Sequence, residues 1–141
     1  MNRVLGIDHG DARIGLAISD ELGMLAHPLE TIRTAETADP AGRIAQIVER
    51  DKIGVIVLGM PRNMNGTYGP AAEKVRAFGE QLRAKVTCEI KLWDERLTSV
   101  AAQKSLHAGG KNVKKSRGVI DQVAAQLILQ GYLDSQAMMG G

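Results

Sequence analysis

The chain has few aromatic residues and almost no cysteine. Aromatic residues make up 3% of its 141 residues, and Cys88 is the only cysteine. One cysteine excludes an intrachain disulfide and a cysteine-based zinc site, and it is typical of a protein in a reducing compartment. Because aromatic side chains are so sparse, we do not expect an aromatic platform that stacks the bases of a single-stranded nucleic acid.

Long apolar runs and a strong charge excess are also missing. No segment approaches the roughly 20 apolar residues that a membrane-spanning helix needs, and the first residues lack a signal-peptide pattern. The formal net charge is +2, so a basic function must rest on local clusters of charge. We therefore expect a cytoplasmic protein with no membrane partner, with one domain over residues 1–136 and a frayed tail at 137–141.

Apolar periodicity divides the chain into strands and helices. Five strands are predicted at about residues 4–8, 13–19, 25–34, 53–58 and 88–93. The short link between the first two strands makes them antiparallel. Pro28 cannot donate to a ladder, which places the third strand at an edge. With the helices between them, these strands predict an α/β fold with a mixed five-stranded sheet, in the order 3-2-1-4-5, and helices on both faces.

Four helices are predicted, beginning near Pro40, Pro70, Thr98 and Val119. Asp39 is the expected N-cap of the first. In the last helix, which should end near Leu133, the predicted buried stripe consists of Ile120, Val123, Ala124, Leu127 and Ile128. Asp121 would then lie at the margin of this stripe, where an acid can also serve simply to favour the helix dipole.

Acidic residues are predicted to meet at one edge of the sheet. Asp8 ends the first strand, although an Asp beside a Gly can also be an ordinary turn residue. The first, fourth and fifth strands should end side by side, bringing Asp8 close to Asp94 and Glu95, with Asp121 above them. Clustered carboxylates repel one another unless a cation neutralises them. Oxygen ligands suit one or two Mg²⁺ or Mn²⁺ ions, which can activate water against a phosphodiester.

Basic residues lie beside this acidic edge. Lys111, Lys114, Lys115 and Arg117 fall within seven residues just before Asp121. Arg13 and Arg62 are expected in loops at the same edge. Such charge is typical of a segment that binds the phosphate backbone of a nucleic acid, although a solvated loop has the same composition. His9, next to Asp8, could touch a substrate.

Four motifs carry a resemblance that runs nearly end to end. They are Asp8-His9-Gly10-Asp11-Ala12-Arg13-Ile14-Gly15, Gly59-Met60-Pro61 with Asn65-Gly66-Thr67, Asp94-Glu95-Arg96-Leu97-Thr98-Ser99, and Asp121-Gln122-Val123-Ala124-Ala125 followed by Ile128-Leu129-Gln130-Gly131-Tyr132-Leu133. In this order they resemble the YqgF (RuvX) family. The resemblance implies a ribonuclease H-like fold. It also implies a nuclease related either to Holliday junction resolution or, in bacteria, to maturation of the small-subunit ribosomal RNA precursor.

The resemblance also implies roles for particular residues. Asp8, Glu95 and Asp121 would be the catalytic, metal-binding acids, and Arg96 and Thr98 would organise the end of the fifth strand. We assign substrate binding to Arg13, Arg62, Asn65, Arg96, Thr98, Lys111, Lys114, Lys115 and Arg117. The fourth strand ends in Gly59-Met60-Pro61, where the related resolvase RuvC carries a glutamate, so Glu95 would have to substitute for it.

The leading hypothesis is a metal-dependent endonuclease, a hydrolase of ester bonds, that processes the 5′ end of pre-16S rRNA, with ribosomal precursor particles as partners. One alternative is a Holliday junction resolvase, which needs two active sites and hence a homodimer, whereas trimming an RNA end needs only a monomer. Another is a nucleic-acid-binding assembly factor without turnover. A sugar-kinase or actin-like ATPase would need a second Asp-x-Gly strand pair and an adenosine site, and this chain has neither.

Overall fold

The computed structural model describes residues 2–61, 68–94 and 117–138, with side chains of the last segment described from Gln122 onward. Its strands are β1 Arg3–His9, β2 Arg13–Ser19, β3 Ala26–Arg33, β4 Ile53–Met60 and β5 Glu89–Asp94. Its helices are α1 Pro40–Arg50, α2 Pro70–Arg83 and α3 Arg117–Met138. The helix predicted from Thr98 lies outside the described residues. The last helix continues to Met138, into the segment predicted to be a tail.

The five strands form one mixed sheet in the order β3-β2-β1-β4-β5, which confirms the predicted fold class and strand order. β1 pairs antiparallel with β2 and β2 with β3, whereas β1 with β4 and β4 with β5 are parallel. Pro28 lies on the edge strand β3, as its missing amide hydrogen requires. The order makes β1 the central strand of the sheet.

Helices cover both faces of the sheet. On one face, α1 and α2 bury Ile44, Ile47, Val75, Phe78 and Leu82 against apolar residues of all five strands. Here the predicted N-cap is confirmed, because the Asp39 side chain accepts a hydrogen bond of 3.1 Å from the Gly42 amide. On the other face, α3 is the one helix of the described residues, and it packs across β1, β2, β3 and β4. We call these the α1/α2 face and the α3 face.

The buried stripe of α3 differs from the predicted one. The buried apolar side chains described in this helix are those of Ala125, Ile128, Leu129, Tyr132 and Leu133, whereas Val123, Ala124 and Leu127 are only half-buried. The prediction was therefore wrong in its rotation about the helix axis. At about 100° per residue, position 121 is in line with positions 125, 128 and 132 along the helix.

A glycine in β1 explains this rotation. A Cβ atom on Gly6 would lie 2.7 Å from Leu129 Cβ and 3.0 Å from the carbonyl oxygen of Ala125. Because Gly6 has no side chain, the backbone of α3 can approach the central strand closely at Ala125 and Leu129. No helix among the described residues has the length and hydropathy that crossing a membrane would require.

Candidate active site

Asp8 lies near the carboxyl end of the central strand, on the α3 face. The odd-numbered residues Leu5 and Ile7 of β1 are fully buried in the α1/α2 core. Because side chains alternate along a strand, Asp8 shares its face with Gly6. The side chain is half-buried. A carboxylate on a rigid central strand and at the rim of a core is well placed to be held in one orientation.

Asp8 belongs to a row of residues that crosses the sheet. It pairs with Gly15 of β2, and Gly15 pairs with Thr31 of β3. On the other side, the pairing of Ile7 with Leu58 brings Gly59 beside Asp8 at the next step of the register. Asp8 is thus flanked by two glycines, which contribute no side chains to the surface around its carboxylate.

The N-terminal half of α3 reaches the same row. The Gln122 side-chain amide donates a hydrogen bond of 3.1 Å to the Thr31 hydroxyl. Further along the helix, Gln126 donates to the carbonyl oxygen of Ala26, and Gln130 both accepts from the Ala26 amide and donates to the carbonyl oxygen of Met24. These glutamines fix α3 lengthwise on β3, and they bring the helix turn that contains position 121 to the Asp8 row.

Trp93 closes the opposite end of the row, and the sequence did not single it out. It pairs with Gly59 and meets Tyr132 of α3 edge to face, with ring centroids 5.8 Å apart. Its indole Nε1 is buried and has no hydrogen-bond partner among the described residues. Its place beside the acidic edge depends on the sheet register, which pairs it with Gly59.

His9 points to the other face of the sheet. Its ring lies 4.7 Å from that of Phe78 in α2. Burial lowers the pKa of His9, and the nearby negative charge of Asp11 opposes this only in part. A neutral imidazole packed on the α1/α2 face does not share a surface with Asp8, so the interpretation of His9 as a substrate contact is not supported. Asp94, at the end of β5, pairs with Met60 and shares its face with Ile90, which packs against that core.

The β1–β2 turn connects the Asp8 strand to β3 and α2. The Gly10 amide donates to the carbonyl oxygen of Arg13 at 2.9 Å. Lys74 Nζ lies 2.9 Å from Asp11 Oδ1, and this pairing lowers the pKa of Asp11. The Thr34 hydroxyl donates to the carbonyl oxygens of Asp11 and Ala12. These contacts hold the turn after Asp8 against its neighbours.

Only part of the predicted site lies in the described residues. Asp8 and Arg13 are described with their side chains, and Asp121 and Arg117 are described as positions in α3. The remaining predicted residues, Arg62, Asn65, Glu95, Arg96, Thr98, Lys111, Lys114 and Lys115, lie outside the described ranges. Within the described part of the chain, no group of three or more His, Cys, Asp or Glu side chains could hold a metal ion. The acidic triad therefore stays a prediction.

Two clefts of about 460 and 540 Å³ lie at the other end of the sheet, both lined by Arg3, Glu21 and Leu22. They contain an exposed ion pair of 3.2 Å between Arg3 and Glu21. Because Arg3 begins β1 and Asp8 lies near its end, these clefts are separate from the Asp8 edge.

Comparison with protein families gives one match that spans most of the chain. The family model RuvX, described as Holliday junction resolvase, matches residues 2–135. A protein of Desulforamulus reducens named "Putative pre-16S rRNA nuclease" is 48% identical over 135 residues, which cover 96% of this chain and 98% of the relative. A protein of Heliobacterium modesticaldum with the same name is 46% identical over 135 residues, covering 96% and 91%.

Solved structures with a similar fold include two junction resolvases. RuvC of Thermus thermophilus in complex with a Holliday junction substrate superposes with a TM-score of 0.62 at 18% identity, over 99% of this chain and 97% of that one. The fowlpox virus resolvase with Holliday junction DNA has a TM-score of 0.54 at 14% identity, over 95% and 98%. At these identities the likeness shows the ribonuclease H-like fold that the sequence predicted.

Proposed function

The chain belongs to the RuvX family, and on that basis we propose that it is a metal-dependent endonuclease that processes the 5′ end of pre-16S rRNA. The observation that carries the proposal is the half-buried carboxylate of Asp8 at the end of the central strand, between Gly15 and Gly59. The cytoplasm, where bacterial ribosomal precursors are trimmed, is the proposed place of action.

We prefer RNA over a DNA junction as the substrate because the relatives named for RNA are much more similar in sequence to this chain than the structures that hold DNA junctions. The relatives that share almost half of their residues with this chain carry the pre-16S rRNA name. The junction-bound structures share less than a fifth, so they speak for the fold and not for the substrate. Holliday junction cleavage is the second candidate, favoured by the description of the family model.

We assign the metal to Asp8, Glu95 and Asp121. Their carboxylate oxygens are the donors that Mg²⁺ and Mn²⁺ prefer. Two points support the place of Asp121 in this set: helical periodicity puts position 121 in line with Ala125, Ile128 and Tyr132, and its neighbour Gln122 reaches the Asp8 row through Thr31. A bound divalent ion supplies Lewis acidity and lowers the pKa of a water ligand. Asp8 would bind the ion through a carboxylate oxygen and keep it at a fixed point on the central strand.

The predicted basic residues would hold the nucleic acid next to these acids. Arg13 begins β2, immediately after the turn that follows Asp8, which supports its role. For Arg62, Asn65, Arg96, Thr98, Lys111, Lys114, Lys115 and Arg117 we propose contacts to phosphates or sugars, which position a strand without reading its sequence.

The test is cleavage of a pre-16S rRNA fragment and a four-way DNA junction, presented side by side with Mg²⁺ or Mn²⁺. We expect cleavage of the RNA by the parent, loss of cleavage in Asp8→Asn, and full cleavage in Glu49→Gln. Glu49 is a matched control because it is an exposed acid on α1.

Three other outcomes would change the proposal. Equal cleavage by Asp8→Asn and the parent would refute the assignment of Asp8. Faster cleavage of the junction, by a protein that is dimeric in solution, would favour resolution. Binding that survives chelation of the metal, with no cleavage of either substrate, would indicate an assembly factor.

A further inference from the structure

Two arginines face each other across β2 and β3. Arg13 and Arg33 are partners in the antiparallel register, at the end of the strand pair nearest Asp8. Directly opposite residues have Cβ atoms about 5 Å apart, and like charges at that distance are unfavourable. Two guanidinium groups at paired positions concentrate positive charge at this end of the strand pair, where an anionic ligand is favoured.

Arg33 lies on the α3 face. Its neighbour Ile32 is buried in the α1/α2 core, so alternation turns Arg33 to the other side, where Asp8 and Thr31 also lie. Arg33 is two residues beyond Thr31, which belongs to the Asp8 row. With about 4.8 Å between strands and about 3.4 Å per residue, the Cα atoms of Asp8 and Arg33 are on the order of 12 Å apart.

The charge of Arg33 is not balanced within the described part of the chain. Its side chain has no hydrogen bond or ion pair with any other described residue. Arg3, Arg43, Arg50, Arg76 and Arg83 each have a carboxylate oxygen within 3.8 Å. Of these six arginines, Arg33 is thus the one whose guanidinium has no partner among the residues that the structure describes.

The backbone around Arg33 is held in place. The Thr34 amide donates to the carbonyl oxygen of Ala12 at 3.0 Å, and the Glu36 amide donates to that of Arg33 at 3.0 Å. The first bond ties the end of β3 to the turn after Asp8. A guanidinium on such a support loses little conformational freedom when it binds a ligand.

From these observations we propose that Arg33, opposite Arg13, binds a backbone phosphate of the nucleic acid, so that the bound strand passes the Arg13–Arg33 end of β2 and β3, beyond the contact of Gln122 with Thr31, on its way to Asp8. This inference rests on the proposed function and extends it to the edge strand. A guanidinium suits this role because it presents a planar pair of donors to phosphate oxygens.

The test measures binding in an Asp8→Asn background, with the pre-16S rRNA fragment and the four-way junction as probes at several salt concentrations. We expect Arg33→Gln to weaken binding about fivefold and to reduce the slope of log K against log salt by about 0.7 to 0.9. Arg33→Lys should keep most of the slope. Arg83→Gln is the matched control, since this exposed arginine ends α2 and therefore lies at the other end of the sheet.

The possible failures are distinguishable. If neither probe binds to the Asp8→Asn protein, both the proposed function and this inference fail. If the probes bind and Arg33→Gln has the same slope as Arg83→Gln, the inference alone is refuted. Misfolding is excluded by the melting temperature, which we expect to be unchanged in Arg33→Gln because this exposed side chain makes no hydrogen bond or ion pair with another described residue.

Discussion

Gly6 of β1 and Leu129 of α3 are in direct contact across the α3 face: a Cβ atom on Gly6 would lie 2.7 Å from Leu129 Cβ. We expect Gly6→Ala to push α3 away from the central strand and to lower the free energy of unfolding by about 1–3 kcal/mol, the usual cost of overpacking. Chemical denaturation measures this loss. Because α3 also carries position 121, cleavage should fall as well.

Gly79→Ala is the control for Gly6→Ala. A Cβ atom on Gly79 would meet one atom, the end of the Leu58 side chain, at 3.4 Å. Gly79 lies inside α2, where alanine is favoured over glycine by about 1 kcal/mol. The variant should be as stable as the parent or more so. Equal destabilisation by both substitutions would argue against a specific Gly6–Leu129 contact.

The ion pair between Glu30 and Arg43 predicts a pH dependence of stability. Arg43 Nε and Nη2 donate to the two Glu30 carboxylate oxygens at 2.9 and 2.7 Å, which ties β3 to α1. These hydrogen bonds lower the pKa of Glu30 from its ordinary value of 4.5. The stabilisation is therefore complete above about pH 4.5 and is lost as the pH falls through the lowered pKa.

Glu30→Gln should cost about 1 kcal/mol at pH 7, a value that allows for partial solvent screening. The difference in unfolding free energy between the parent and this variant should shrink toward pH 3. Denaturation curves at several pH values measure it. A difference that is the same at pH 3 and pH 7 would contradict the linkage.

His9 should titrate below its ordinary pKa of 6.5, because burial against Phe78 disfavours the charged ring. The folded state then loses stability as the pH falls from about 6.5, since the unfolded chain binds the proton more tightly. NMR titration of the ring protons measures the pKa. In Asp11→Asn the pKa should fall further, because Asp11 raises it in the parent. An increase would contradict this arrangement.

Trp93 offers a test of metal binding that does not depend on activity. It is the single tryptophan of the chain, and two strand spacings, about 10 Å, separate it from Asp8. Mn²⁺ at the proposed site should quench its fluorescence, whereas Asp8→Asn should require several-fold more Mn²⁺ for the same quenching. Identical titrations of the parent and the variant would show that Asp8 does not hold the ion.

The strands, the strand order and the starts of α1 and α2 could be predicted because they depend on local signals. Alternation in Arg13–Ser19 predicted β2 to the residue, and Asp39 with Pro40 predicted the start of α1. Pro28 marked an edge strand because it cannot donate a hydrogen bond. Each of these signals acts within a few residues of chain, so the sequence alone contains it.

The orientation of α3 and the surroundings of Asp8 were decided only by tertiary structure. The sequence of α3 has apolar residues on more than one side of the helix, so it permits more than one buried stripe. The close approach at Gly6 selects the stripe that contains Ala125 and Leu129. Likewise, the row of Thr31, Gly15 and Asp8 and the pairing of Arg13 with Arg33 depend on strand register. The sequence determined that an acid would end the central strand. Which residues meet it depends on contacts between segments distant in the chain, which no local pattern encodes.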